Sequence, residues 1–261
     1  MSPREYVSVG LGDAGVDRPE LSWTVNEAQV CGIALRVERA YDPTELLEPW
    51  ALPPDQAVLK EAEAAQVLVE ASRDAVLAGV GTRQLSAIGA VALGSVSSSV
   101  IAMADGPVVA VGSRRATPVG DPAVVVGVDG FAGAEDALSF AFEYAARHQR
   151  PVKAVACWQH DLLVVTPWPA AHRGPASAQA WLADTLSGWQ HKYPEVSTRR
   201  EVVHDHPVAG LVAASSGHDL LVAGSHGRRA HVVGRIGSVG QAVLHYARCP
   251  VAVVRPRGGT V

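Results

Sequence analysis

Leu220-Leu-Val-Ala-Gly224-Ser-His-Gly227, followed after nine residues by Gly237-Ser238-Val239, is the most informative stretch of the chain. It begins as a short apolar strand, turns on glycines and closes at the start of a helical segment. In an open α/β sheet, ligands sit outside the carboxyl ends of the strands, where this turn would lie. Glycine lets the backbone approach phosphate oxygens closely. Ser238 and the free N–H groups of the following helix can then donate to them. Arg228, Arg229 and Arg235 add positive charge between the glycines. The same residues also suit an ordinary glycine-rich turn with a serine N-cap.

The plan occurs twice. Gly94-Ser95-Val96 matches Gly237-Ser238-Val239, and Pro107-Val-Val-Ala-Val111 matches Pro250-Val-Ala-Val-Val254, at an offset of 238 − 95 = 143 residues. Near the starts of the halves, Tyr6-Val-Ser-Val-Gly10 matches Val124-Val-Val-Gly-Val128, and each precedes an amphipathic helix, over 19–30 and 134–148. Second strands follow at 35–40 and 152–157, with an offset of 152 − 35 = 117. The difference, 143 − 117 = 26 residues, predicts that the first half has lost about one helix and one strand. The second half continues with a helix over 178–192, a strand over 197–204, a helix over 207–216 opened by Pro207 and a strand over 220–223. A loop, a helix from Ser238 and a last strand complete it. Strands alternating with helices imply right-handed crossovers and a parallel sheet. The segment Gly112 to Pro122 has linker composition, which divides the chain into domains 1–112 and 121–261.

Composition narrows the classes. The 261 residues suit one large domain or two small ones, and 48% hydrophobic against 18% charged residues is ample for a core. A net charge of −4 excludes a strongly basic nucleic-acid binder. Residues 1–120 hold 9 basic and 15 acidic groups, and residues 121–261 hold 13 and 11, so the second half is the better host for an anion. Cys31, Cys157 and Cys249 are too few and scattered for a disulfide framework or a zinc site, and read as reduced thiols of a cytoplasmic protein. Met1-Ser2-Pro3-Arg4-Glu5 lacks the apolar run of a signal peptide. The uncharged stretch 85–104 is diluted by five serines and two glycines, so a soluble helix is expected there rather than a membrane span.

With these residues in view, the chain resembles the universal stress protein family in its tandem two-domain form. That family's ATP-binding signature is Gly, two residues, Gly, nine residues, Gly, then Ser or Thr, and 224–238 fits it at every position. Val126-Gly-Val-Asp129-Gly130 resembles the family's first strand and turn, and Ala247-Arg-Cys-Pro-Val-Ala-Val-Val254 its closing strand. The resemblance implies two Rossmann-like, adenine-nucleotide-binding α/β domains with parallel sheets, the first truncated. It implies ATP, with the Mg2+ that such a ligand can carry. Asp129 and Gly130 would lie near the adenosine, and the backbone around Cys157 would edge the adenine. Gly224, Gly227, Gly237, Ser238 and Val239 would hold ribose and phosphates, with His226 close by. Phe131 departs from the small hydroxyl residue that usually follows Asp-Gly in the family. Family members dimerise through the closing strand, so the two halves are expected to pair as a pseudo-dimer, with a homodimer of the full chain as a further step. The implied role is a nucleotide-dependent regulator or adaptor in the stress response, acting on an unidentified protein partner. A slow ATPase and a purely structural interaction module are the alternatives.

In the first half the equivalent motif is Gly81-Thr-Arg-Gln84, nine residues, Gly94-Ser95, with Gln84 in place of the second glycine. Gly12 stands at the position of Asp129. One nucleotide site, in the second half, is therefore expected. Three rival readings are weaker. Gly10-Leu-Gly12-Asp-Ala-Gly15 is a literal dinucleotide fingerprint, with Glu38 as its ribose acid. It would place Pro19 about one turn inside a helix, where proline costs roughly 3 kcal/mol, so Pro19 fits better as the first helical residue. His204, His206, His218, His226 and His231 invite a metal, but no helical His pair or Cys partner supports one. No P-loop is present, and no activated nucleophile can be assigned.

Overall fold

The runs Val124-Val-Val126 and Leu220-Leu-Val-Ala223 are buried throughout, as strands covered on both faces by helices must be. The computed structural model describes residues 6–11, 18–38, 57–60, 64–84, 91–112, 116–117, 121–130, 133–158, 175–225 and 236–255. The chain divides into two compact units, Met1–Arg114 with Val232–Ile236 and Arg115–His231 with Gly237–Val261.

The first unit contains β1 (Tyr6–Gly10), α1 (Pro19–Cys31), β2 (Ala34–Glu38), β3 (Ala57–Lys60), α2 (Ala64–Ala71) and β4 (Ala75–Gly81). It continues with the two-residue strands β5 (Arg83–Gln84) and β6 (Val91–Ala92), then α3 (Ser95–Met103) and β7 (Val108–Val111). The second unit contains β8 (Val124–Gly127), α4 (Gly133–His148), β9 (Val152–Trp158), α5 (Pro175–Lys192) and β10 (Thr198–His204). It ends with α6 (Pro207–Ser215), β11 (Leu220–Gly224), α7 (Ser238–Tyr246) and β12 (Val251–Val254). The strand orders are β3-β2-β1-β4-β7 and β10-β9-β8-β11-β12, parallel throughout. Both are the doubly wound order of a Rossmann-like fold. No described helix is long and apolar enough to cross a membrane.

The two units repeat residue by residue. Ser8 pairs with Ala78 as Val125 pairs with Leu221, the offsets being 117 and 143. α1 and α4 end alike. Gly32 (φ 64) and Gln149 (φ 53) are both left-handed, and Ile33 and Arg150 both donate back to an alanine carbonyl, Ala28 and Ala145. This double C-cap is easy for glycine, whereas a residue with a Cβ is strained there by roughly 1 kcal/mol. α4 also complements its dipole, with Glu135 and Asp136 in the first turn and Arg147 and His148 in the last.

One expectation needs correction. The first half has not lost a strand, because β3 pairs in parallel with β2, Leu35 opposite Ala57. The matching pair in the second unit is Val152 opposite Thr198. The offset at β3 is therefore already 198 − 57 = 141, so 141 − 117 = 24 of the 26 missing residues fall between β2 and β3. The truncation is one shortened connection, opposite the place where the second unit carries α5. A four-residue strand is too short for periodicity to reveal.

Candidate functional site

In the second unit the chain runs from β8 outward to β9 and β10, then returns to the other side of β8 to form β11. The crevice between the carboxyl ends of β8 and β11 is the topological switch point, where an open α/β sheet receives its ligand. Val126 lies opposite Val222 in the register, so Asp129 with Gly130 and Gly224 with Ser225 emerge side by side. Asp129 is half-buried and Gly130 exposed. Gly130 has φ +77, a turn conformation natural to glycine, and a Cβ there would stand 3.1 Å from the Trp181 ring.

The glycine loop is clamped at both ends. Ser225 N–H donates to Val254 O (2.7 Å), and Gly237 N–H donates to Ser225 O (2.8 Å). This opens the N-terminus of α7 beside the end of β11. Gly237 is the N-cap and has no side chain to satisfy the first-turn N–H groups, and the first turn holds no acidic residue. Ser238 is exposed and Val239 half-buried, and an uncapped helix start of this kind is suited to an anion. His226 and Gly227 lie outside the described residues, as do Phe131, Arg228, Arg229, His231, Arg235, Gly12 and Gly15.

Cys157 stands near the end of β9 with its thiol turned to α6. Sγ is 3.8 Å from Pro207 O, and a Cβ on Gly210 would fall 2.7 Å from it. Burial, helped by Asp205 and Glu201, pushes the thiol up to about 11. It is therefore protonated at neutral pH and no nucleophile.

His204, His206 and His218 make local structural contacts. His206 Nδ1 accepts from Val208 N–H (3.3 Å) and caps α6. His204 lies on Trp158, ring centres 4.4 Å apart. His218 Nδ1 accepts from Ala123 N–H (3.2 Å), and burial, with Lys153 nearby, lowers its pKa. Among the described residues no group of three His, Cys, Asp or Glu side chains is placed to hold a metal. Pro19 is the first residue of α1, the position that disfavoured the dinucleotide reading.

In the first unit the equivalent glycine, Gly81, has close side-chain neighbours. A Cβ on Gly81 would lie 2.8 Å from Glu20 Cδ and 3.0 Å from each carboxylate oxygen. Ser97 Oγ donates to Gly81 O (2.8 Å). The matching residues in the second unit, at 20 + 117 and 97 + 143, are Ala137 and Gly240. Gln84 is held in the ladder between β5 and β6, opposite Val91. A carboxylate thus stands beside the first glycine of the motif, where it would repel phosphate. The sequence reading missed Glu20, Ser97 and Trp181. The first two become visible once the internal repeat is aligned, whereas Trp181 has no signal in sequence.

Fold and site together define a tandem of Rossmann-like domains, with a glycine turn and a helix N-terminus at the switch point of the second. The model of the universal stress protein family matches residues 122–255, and the chain belongs to that family. It is 33% identical to universal stress protein Rv2623 of Mycobacterium tuberculosis over 290 residues, covering 95% of this chain and 96% of that protein. It is 39% identical to Rv2005c of the same organism over 191 residues, 72% of this chain and 64% of that protein. A universal stress protein structure from Archaeoglobus fulgidus superposes with a TM-score of 0.69 at 15% identity, covering 98% of this chain and 99% of that one.

Proposed function

We propose that the second unit binds ATP, with Mg2+ on its phosphates, and that the bound state is read by a protein partner in the stress response of the cytoplasm. The observation that carries this reading is the Gly237 N–H to Ser225 O clamp, which presents an uncapped helix N-terminus beside Gly224. The residues fit such a ligand. Phosphates would meet the N–H groups of Ser238 and Val239, and Asp129 would take a ribose hydroxyl. Gly224, Gly227 and Gly237 would leave the backbone accessible, and His226 belongs to the same loop. Calorimetry of the purified chain with ATP is expected to give one nucleotide per chain, since Glu20 stands against Gly81 and Gln84 replaces the second glycine in the first unit. A stoichiometry near two overturns that expectation. Release of no adenine nucleotide on denaturation, together with no calorimetric binding, overturns the function. Pairing of the halves through the closing strands, and a homodimer beyond it, belong to the same proposal. Charges at Val109 and Val253, both buried, are expected to speed proteolysis of the 112–122 linker and lower the melting temperature. Unchanged proteolysis and melting would count against the pairing.

A further inference from the structure

The most conspicuous side chain at the crevice is one that the glycine signature does not include. Trp181 lies on α5, between the fully buried Ala178 and Leu182, yet is itself only half-buried. Its six-membered ring lies against the Asp129–Gly130 turn. A Cβ on Gly130 would stand 3.1, 3.7 and 3.8 Å from Cζ2, Cη2 and Cε2. At the ends of the neighbouring strands, Trp158 lies against His204. Planar rings therefore fringe the carboxyl ends of β8, β9 and β10, in a chain whose aromatic content is only 5%. In the first unit the connection equivalent to the one that carries α5 is 24 residues shorter.

We infer that Trp181 is the base-recognising wall of the second unit's site, stacking on the planar heteroaromatic part of the ligand while α7 takes the phosphates. This rests on the nucleotide reading above and adds to it a division of labour. Indole offers a broad π-face that stacks on any base, and its six-membered ring already neighbours the Gly130 turn. Anion contacts at a helix N-terminus cannot tell ATP from inorganic triphosphate, so a ring beside the Gly130 turn adds base selectivity to the ribose contact of Asp129.

The test is calorimetric titration of wild type, Trp181→Leu and Trp181→Phe with ATP and with inorganic triphosphate. Leucine keeps bulk and apolarity but removes the π-face, and phenylalanine retains a smaller one. Trp181→Leu is expected to weaken ATP about tenfold, and Trp181→Phe about threefold. All three chains are expected to bind inorganic triphosphate equally. Equal ATP affinity in wild type and Trp181→Leu overturns this inference and leaves the nucleotide reading intact. An equal loss for both ligands shows a structural role and also overturns it. A wild-type chain that takes up no ATP overturns both.

Discussion

Gly227→Asp is expected to lower ATP affinity roughly 30- to 150-fold while the melting temperature stays at the wild-type value. In the proposed site the glycine signature would bring backbone to phosphate at this position, and any side chain would stand between them. Aspartate adds a negative charge. At ~4 Å and an effective dielectric of ~20, two unit charges repel by about 4 kcal/mol. Screening and loop adjustment reduce this to ~2–3 kcal/mol, which is the stated range in affinity. Surface loops tolerate such changes without loss of fold. The control is Gln84→Asp, whose backbone is tied into the β5–β6 ladder of the first unit, and which is expected to leave ATP binding unchanged. If Gly227→Asp stays folded and binds ATP like the wild type, the site is misplaced.

The second large effect concerns the core of the first unit. Gly79→Val is expected to destabilise the chain by about 3 kcal/mol, and Thr24→Ala in the same chain is expected to recover most of it. Gly79 is buried in β4 under α1, and a Cβ there would stand 2.2 Å from Thr24 Cγ2. Thr24 is fully buried and fixed by its hydroxyl, which donates to Glu20 O at 2.7 Å and to Leu21 O at 3.1 Å. It cannot swing aside, so the added methyls meet a wall. The second unit shows the opposite solution. At 24 + 117 and 79 + 143 it carries Ala141 and Val222, both fully buried. Small helix residue with large strand residue, or the reverse, fills the same gap. A double-mutant cycle read by urea unfolding measures the coupling. Additive losses from the two substitutions would show that the volumes are not exchanged across this contact.

That exchange of volumes shows where sequence reading stopped. Offsets of 117 and 143 were legible because apolar strands and Gly-Ser-Val helix starts recur in a fixed order. The partners in each exchange were not legible, because Thr24 and Gly79 are 55 positions apart and meet only when β4 docks against α1. Likewise Gly81 looks like a sound first glycine until Glu20 is found against it.

The sequence by itself determined the alternation of strands and helices, the tandem repeat, the family resemblance and the glycine spacing of 224–238. These are local properties, written in period, turn residues and spacing, and they survive in one dimension. Tertiary structure alone decided the rest. It placed β3 beside β2 and confined the shortening to one connection, because strand pairing is a contact between distant residues. It set the Cys157 thiol against α6. It set Glu20 against one glycine turn and Trp181 against another. Side-chain neighbours across a sheet and its covering helices follow from packing, which no single segment of sequence contains.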